Sequence, residues 1–235
     1  METLLSVESP EELRRELAAF NTEVSPRAFG RTTKQTELYA IAHLLASLPP
    51  GRLGYPLSVD HGDRPDFVLR QSGQSTGIEH TEAVAENLAR ASVLRTKRAG
   101  PPVHFMQRAS PGEPRKSSTQ LLQEIQADQP GPPWEGDAPE REWAEAMLHF
   151  AGVKTEKAQR QGFARHRENW LLVYDNWSVP AVSYSEAGSL LQEKCIEASI
   201  FTTFDRVYVL GSRLLCEVGK NLHETHAVAS PRVGS

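Results

Sequence analysis

The sequence predicts an α/β fold, a central sheet flanked by helices in a single domain over residues 1–235. Three observations predict it. Segments of helical and strand-like pattern follow one another in the order helix, strands, helix, irregular segment, helix, strand, helix, strand, the order of a sheet covered by helices. Asn169–Asp175, N-W-L-L-V-Y-D, is a nearly continuous apolar run, as a strand buried on both faces requires. The helical segments carry apolar residues three and four apart, which gives each one face to lay on a sheet.

Residues 9–20 open with Ser9 as N-cap and Pro10 at the first helical position, followed by acids that suit the helix dipole. Leu13, Leu17 and Phe20 supply the stripe of this N-terminal helix. Thr32 or Thr33 can cap a second helix, with Leu38, Ile41, Ala42, Leu45 and Leu48 inward and Pro49-Pro50-Gly51 as its stop. Residues 53–60 read as a strand that Pro56 demotes to an edge or irregular one. After the turn His61-Gly62-Asp63, strands at Pro65–Arg70 and Thr76–Ala83 flank a Gly/Ser/Gln turn. A helix from about Val84 to Lys97 has a stripe at Leu88, Ala91 and Leu94 that turns basic at its end.

Residues 99–139 are rich in Pro and Gly and read as an insertion, with one short helix at 117–127. A long helix follows from Pro139 to about Arg165, with Gly152 as a candidate break; Trp143, Met147, Leu148 and Phe150 form its inner side. Lys154, Lys157 and Gln161 stand at i, i+3 and i+7, so they align on one face. Beyond Asp175 come a helix at 186–199, a buried strand R-V-Y-V-L-G at 206–211, an edge strand at 213–218 and a frayed tail from Gly219.

Composition is that of a soluble globular chain, 39% hydrophobic and 24% charged. No apolar run approaches the roughly 20 residues of a membrane span. The N-terminus lacks a basic segment followed by an apolar one, so no secretory signal is read. Cys195 and Cys216 are too few for a disulfide framework, and a cytoplasmic location is expected. The net charge of −4 does not favour nucleic acid, but Asn87–Gln120 holds seven basic residues against the single acid Glu113. Such a segment can meet phosphates, and a solvated loop would have the same composition.

The chemistry-bearing pattern is Asp66 and Glu79, two carboxylates on neighbouring strands of one hairpin. A hard cation such as Mg²⁺ takes one or two carboxylates together with water and substrate phosphate. Strand alternation turns Glu79 and Thr81 to one side and His80 to the other. Glu37, near the start of the second helix, is a further carboxylate that can help, although an acid in a first turn also serves the helix dipole. His61 and Asp63 could assist, but a turn calls for Gly and Asp anyway. No G-x-S-x-G elbow, phosphate-binding G-x-x-x-x-G-K-[ST] loop or zinc spacing is present.

Pro65-Asp66 followed by Glu79-His80-Thr81 resembles the PD-(D/E)XK nuclease superfamily. The likeness covers roughly Thr33–Arg98 and Val153–Gly211 and leaves residues 99–139 unexplained. It implies a restriction-endonuclease-like core, and with the strands read above a mixed sheet of four to five strands. It implies that Asp66, Glu79 and the backbone carbonyl of His80 bind Mg²⁺ or Mn²⁺, with Glu37 as helper. It also implies a homodimer as one assembly, though no interface signature stands in the sequence. The pattern departs at Thr81, where the family has a lysine beside the attacking water. Some members carry that lysine on a nearby helix, so Lys154 or Lys157 is expected to orient or deprotonate the water. Gln161 resembles a polar helix residue that touches substrate. The expected function is metal-dependent hydrolysis of nucleic acid, DNA first, with Arg95, Lys97 and Arg98 steadying the backbone. The alternatives are an inactive nuclease-fold module that binds nucleic acid or a protein, and an α/β protein with a closed apolar ligand pocket and no converging carboxylates.

Overall fold

The computed structural model describes residues 1–98, 104–160 and 164–231, the side chain of Arg98 excepted. Eight strands lie side by side in chain order: β1 (Glu2–Val7), β2 (Leu57–His61), β3 (Phe67–Gln71), β4 (Gln74–Val84), β5 (Glu168–Asn176), β6 (Arg206–Leu210), β7 (Leu214–Gly219) and β8 (Leu222–Ala227). Strands β1 to β4 form an antiparallel meander, β4, β5 and β6 run parallel, and β6 to β8 are antiparallel again. The fold is α/β with a mixed sheet, and the sheet has eight strands where four to five were expected.

The additional strands lie at the rims. Strand β1, E-T-L-L-S-V, buries only Leu5 and Val7, and β8, L-H-E-T-H-A, buries none of its residues. Edge strands need no apolar alternation, so neither announces itself. The residues after Gly219 pair with β7 through a two-residue turn instead of fraying, and β7 is interior, with Leu215, Cys216 and Val218 buried. Strand β2 begins one residue after Pro56 and sits between β1 and β3. The proline therefore precedes the ladder and removes no hydrogen bond from it.

Helices α1 (Pro10–Ala19) and α2 (Thr33–Ser47) cover one face, where Leu17, Ile41 and Leu45 meet Val59, Leu69, Ile78 and Leu172. Their starts are capped as expected: Ser9 accepts from Glu12 N, and Thr32 and Gln35 form a reciprocal capping box. Helices α5 (Ala138–Ala158) and α6 (Tyr184–Glu197) cover the other face, with Trp143, Met147 and Leu191 on Leu171, Val173 and Val207. Right-handed crossovers that step in one direction put their helices on one face, and α5 and α6, which precede β5 and β6, do share one. Helix α5 runs through Gly152 unbroken and ends at Ala158, short of the expected Arg165.

Helices α3 (Glu86–Arg98) and α4 (Ser118–Ala127) pack together. Asn87 pins the insertion to α3: its amide donates to Pro114 O and accepts from Lys116 N, both at 3.0 Å. Among the described residues no helix is long and apolar enough to cross a membrane.

Two measurements test this core. Leu171 is fully buried in the central β5, so Leu171→Ala is expected to cost ~2–5 kcal/mol in chemical denaturation; a cost under ~1 kcal/mol contradicts a two-sided core. His43 on α2 donates from Nδ1 to Ala229 O at 3.1 Å. Burial holds its pKa below the ordinary value, with the Ala229 contact opposing only in part. The unfolded chain takes the proton first, so this contribution is complete above about pH 6.5 and is lost as pH falls through the folded pKa. Wild type should therefore lose more stability between about pH 7.5 and about pH 5.5 than His43→Gln, and equal losses would exclude the coupling.

Candidate active site

Strand β4 is longer than its neighbour. The last β3 pair is Phe67 with Ile78, whereas β4 stays paired with β5 as far as Val84. From Glu79 onward β4 therefore has no β3 partner. The cleft beside this edge, about 460 Å³, is lined by Glu37, Asp66, His80, Thr81, Glu82 and Lys154 among others.

Alternation decides which side chains meet there. Phe67 and Ile78 join the α1/α2 layer, so Asp66 and Glu79 turn toward α5. Lys154 on α5 meets both: its Nζ lies 2.7 Å from Glu79 Oε2 and 3.3 Å from Asp66 Oδ2. Asp66 Oδ2 also accepts from His80 N at 2.6 Å. The N–H and C=O of one strand residue point to the same edge, so the carbonyl of His80 faces the side that Asp66 occupies. The sequence-predicted carboxylates converge on Lys154.

The three side chains keep only 12–17% of their surface exposed. Burial raises the pKa of Glu79, and Asp66 adds to the rise against the opposing pull of Lys154. For Lys154 burial works against the charge, but Asp66 and Glu79 outweigh it and hold its pKa above the ordinary value. One ammonium against two carboxylates leaves the group a net negative charge when both are ionised. His80 is 5% exposed, and burial, followed by the charge of Lys154, pushes its pKa down to about 3. Its side chain is a neutral, packed imidazole whose Nε2 has no partner among the described residues.

The other expected residues fare differently. Lys157 is exposed and forms no ion pair with either carboxylate among the described residues. Three residues on from Lys154, it is rotated about 60° round the helix, away from the buried arc of Ala151 and Thr155. Glu37 lines the cleft from the α2 layer, where its Oε2 accepts from His61 Nε2 at 3.0 Å. Asp63 is almost wholly exposed. Arg95 faces Asp128 at 3.8 Å, and Lys97 is exposed. The side chain of Arg98 and the whole of Gln161 lie outside the described residues. Much of the basic segment's charge is matched locally: Arg108 meets Glu142 and the Trp134 ring, Arg115 meets Glu86, and Lys116 meets Glu124. These contacts link the insertion to α3 and α5.

Sequence reasoning missed two arginines. Arg27 and Arg31 reach the same cleft, and both bond Glu82 Oε1, which also accepts from Asn176. Arg27 opens the short 3₁₀ turn Arg27–Phe29 and Arg31 follows it after Gly30, and the one available signal was the string R-A-F-G-R, basic residues around an aromatic.

A second ligand-like group, Glu217, Glu224 and His226, brings three ligand atoms within 4.8 Å. The buried Glu217 already takes Arg52, Arg206 and the hydroxyl of Tyr208, so this cluster reads as a polar network joining β6, β7 and β8. Cys195 and Cys216 are buried, and burial pushes both thiols up to about 12, which excludes a thiolate nucleophile at neutral pH.

Removing the ammonium should leave two buried like charges. Lys154→Met is therefore expected to cost roughly 3 kcal/mol near pH 7, the lower end for a broken buried pair because some exposure remains. The deficit should shrink as pH falls and the carboxylates take up protons. A deficit that stays constant from about pH 7 to about pH 4 in denaturant titrations would mean that the pair does not sense Lys154. Comparison with protein-family models, curated proteins and solved structures gives no match, so a functional reading of this cleft rests on its own geometry.

Proposed function

We propose that the chain is a metal-dependent nuclease related to the PD-(D/E)XK superfamily, hydrolysing phosphodiester bonds in nucleic acid, with DNA the first expectation. One observation carries the reading: Lys154 Nζ touches both Asp66 and Glu79, so a helix returns the positive charge that Thr81 lacks. The donor set suits Mg²⁺ or Mn²⁺, since Asp66, Glu79 and the carbonyl of His80 are all hard oxygens. These groups would hold the ion, with Glu37 available from the α2 side of the cleft. When bound, the ion supplies Lewis acidity to the phosphate and activates water.

The chain's own residues do the rest. Lys154, held as an ammonium, can orient the attacking water and balance charge on the phosphate. His80 is neutral and packed and moves no proton. The N–H of His80 fixes Asp66, so the two carboxylates keep their separation while substrate enters.

A second reading is a nuclease-fold module that binds nucleic acid or a protein partner without cleaving it. It is favoured by the same lysine: Lys154 already balances much of the carboxylate charge without a metal.

Cleavage of single- and double-stranded DNA and of RNA, with and without Mg²⁺ or Mn²⁺, separates the two. Under the nuclease reading Asp66→Ala and Glu79→Ala fall to background, Lys154→Met loses about 10²-fold or more, and Lys157→Ala stays close to wild type. Metal-dependent cleavage that persists unchanged in Asp66→Ala would come from another site or a contaminant and would end the assignment.

A further inference from the structure

The cleft has a second, positively charged end. Glu82 stands three residues beyond Glu79 on β4, roughly 10 Å along the strand. Alternation turns it to the opposite, α2 side of the sheet. There two guanidinium groups share its single carboxylate, a local excess of one positive charge, while Glu37 in the same cleft pairs with His61. Among the described residues Arg31 Nε and His80 Nε2 have no hydrogen-bond partner, and His80, 5% exposed, lines the same cleft.

Between the arginines stands Phe29, 74% exposed. The next residue, Gly30, takes φ +88 with open space around its Cβ position, a left-handed turn that glycine adopts without strain. Phe29, Arg27 and Arg31 also border an adjoining hollow of about 350 Å³, whose floor includes Leu88 and Val93 of α3. An exposed ring beside two guanidinium groups that share one carboxylate offers a stacking surface and a phosphate contact together, the combination that holds unpaired nucleotides.

We propose that Arg27–Arg31 is a single-strand-binding element: Arg27 and Arg31 take a backbone phosphate, and Phe29 stacks the neighbouring base. The strand then passes over the free edge of β4 to the Asp66–Glu79–Lys154 group. A path that crosses from one face of the sheet to the other around a strand edge suits a flexible single strand better than a stiff duplex. The inference rests on the nucleic-acid reading of the cleft and names its substrate class.

The test is fluorescence anisotropy with labelled single-stranded DNA, single-stranded RNA and duplex of equal length, in EDTA so that turnover is excluded. Wild type and Asp66→Ala are expected to bind a single strand at least about tenfold tighter than duplex. Phe29→Ala, which removes little packing from a ring 74% exposed, should weaken that binding about tenfold, the size of one lost base stack. Arg27→Gln should lower the slope of log affinity against log salt by about 0.7, one phosphate contact on a single strand. Equal binding by wild type and both variants, or a preference for duplex, overturns the proposal. Should wild type cleave nothing in Mg²⁺ while Phe29-dependent single-strand binding persists, the nuclease reading falls and this one stands. Should cleavage occur with binding indifferent to Phe29 and Arg27, this one falls alone.

Discussion

Because β3 stops at Phe67 while β4 runs on to Val84, the sheet presents a strand edge whose backbone groups need partners other than a strand. Asp66 meets one of those needs by accepting from His80 N. That bond fixes the carboxylate beside Glu79, and the pair in turn requires a counter-charge in a place where water is scarce. Lys154 provides it from α5. Each step follows from the one before: unequal strand lengths expose an edge, the edge recruits a carboxylate, and the carboxylates recruit a cation.

Thr81 projects from the same strand face as Glu79, the side from which Lys154 of α5 reaches the carboxylates. The methylenes of such a lysine can lie along apolar surface while the head stays polar. Charge at the site thus depends on the packing of α5, and α5 is anchored by the fully buried Trp143, Ala144 and Met147. Trp143 is itself tied to the sheet by its indole N–H, which donates to Asp175 at 2.7 Å. Displacing α5 would therefore disturb the core and the carboxylates together.

Local signals in the chain foretold the local features. Ser9 and Thr32 cap the helices they were expected to cap, since a cap depends on three or four consecutive residues. The hairpin carrying Asp66 and Glu79 and the apolar β5 were readable for the same reason. Strands β1 and β8 were not, because a rim strand has one partner and little apolar demand. Spacing alone could not separate Lys154 from Lys157: both fit a helical face, and only the burial of Ala151 and Thr155 shows which way α5 is turned. The density of basic residues in 87–120 has a local counterpart, since several of them meet acids and carbonyls of the insertion and of the helices beside it. Arg27 and Arg31 went unread because R-A-F-G-R has no periodicity and their shared partner, Glu82, is more than fifty residues away in sequence.

The cleft is left with unequal charge at its two ends, and strand geometry makes the inequality directional. Odd-numbered residues of β4 face α5 and carry the carboxylate group with an excess of negative charge. Even-numbered residues face α2 and carry Glu82 beneath an excess of positive charge. A small anion could settle only the second imbalance, and a lone cation only the first. A polyanion with a cation on one of its phosphates settles both at once, provided it can bend across the β4 edge. The arrangement of charge along one strand is thus what the proposed nucleic-acid ligand, long, negatively charged and flexible, would have to match.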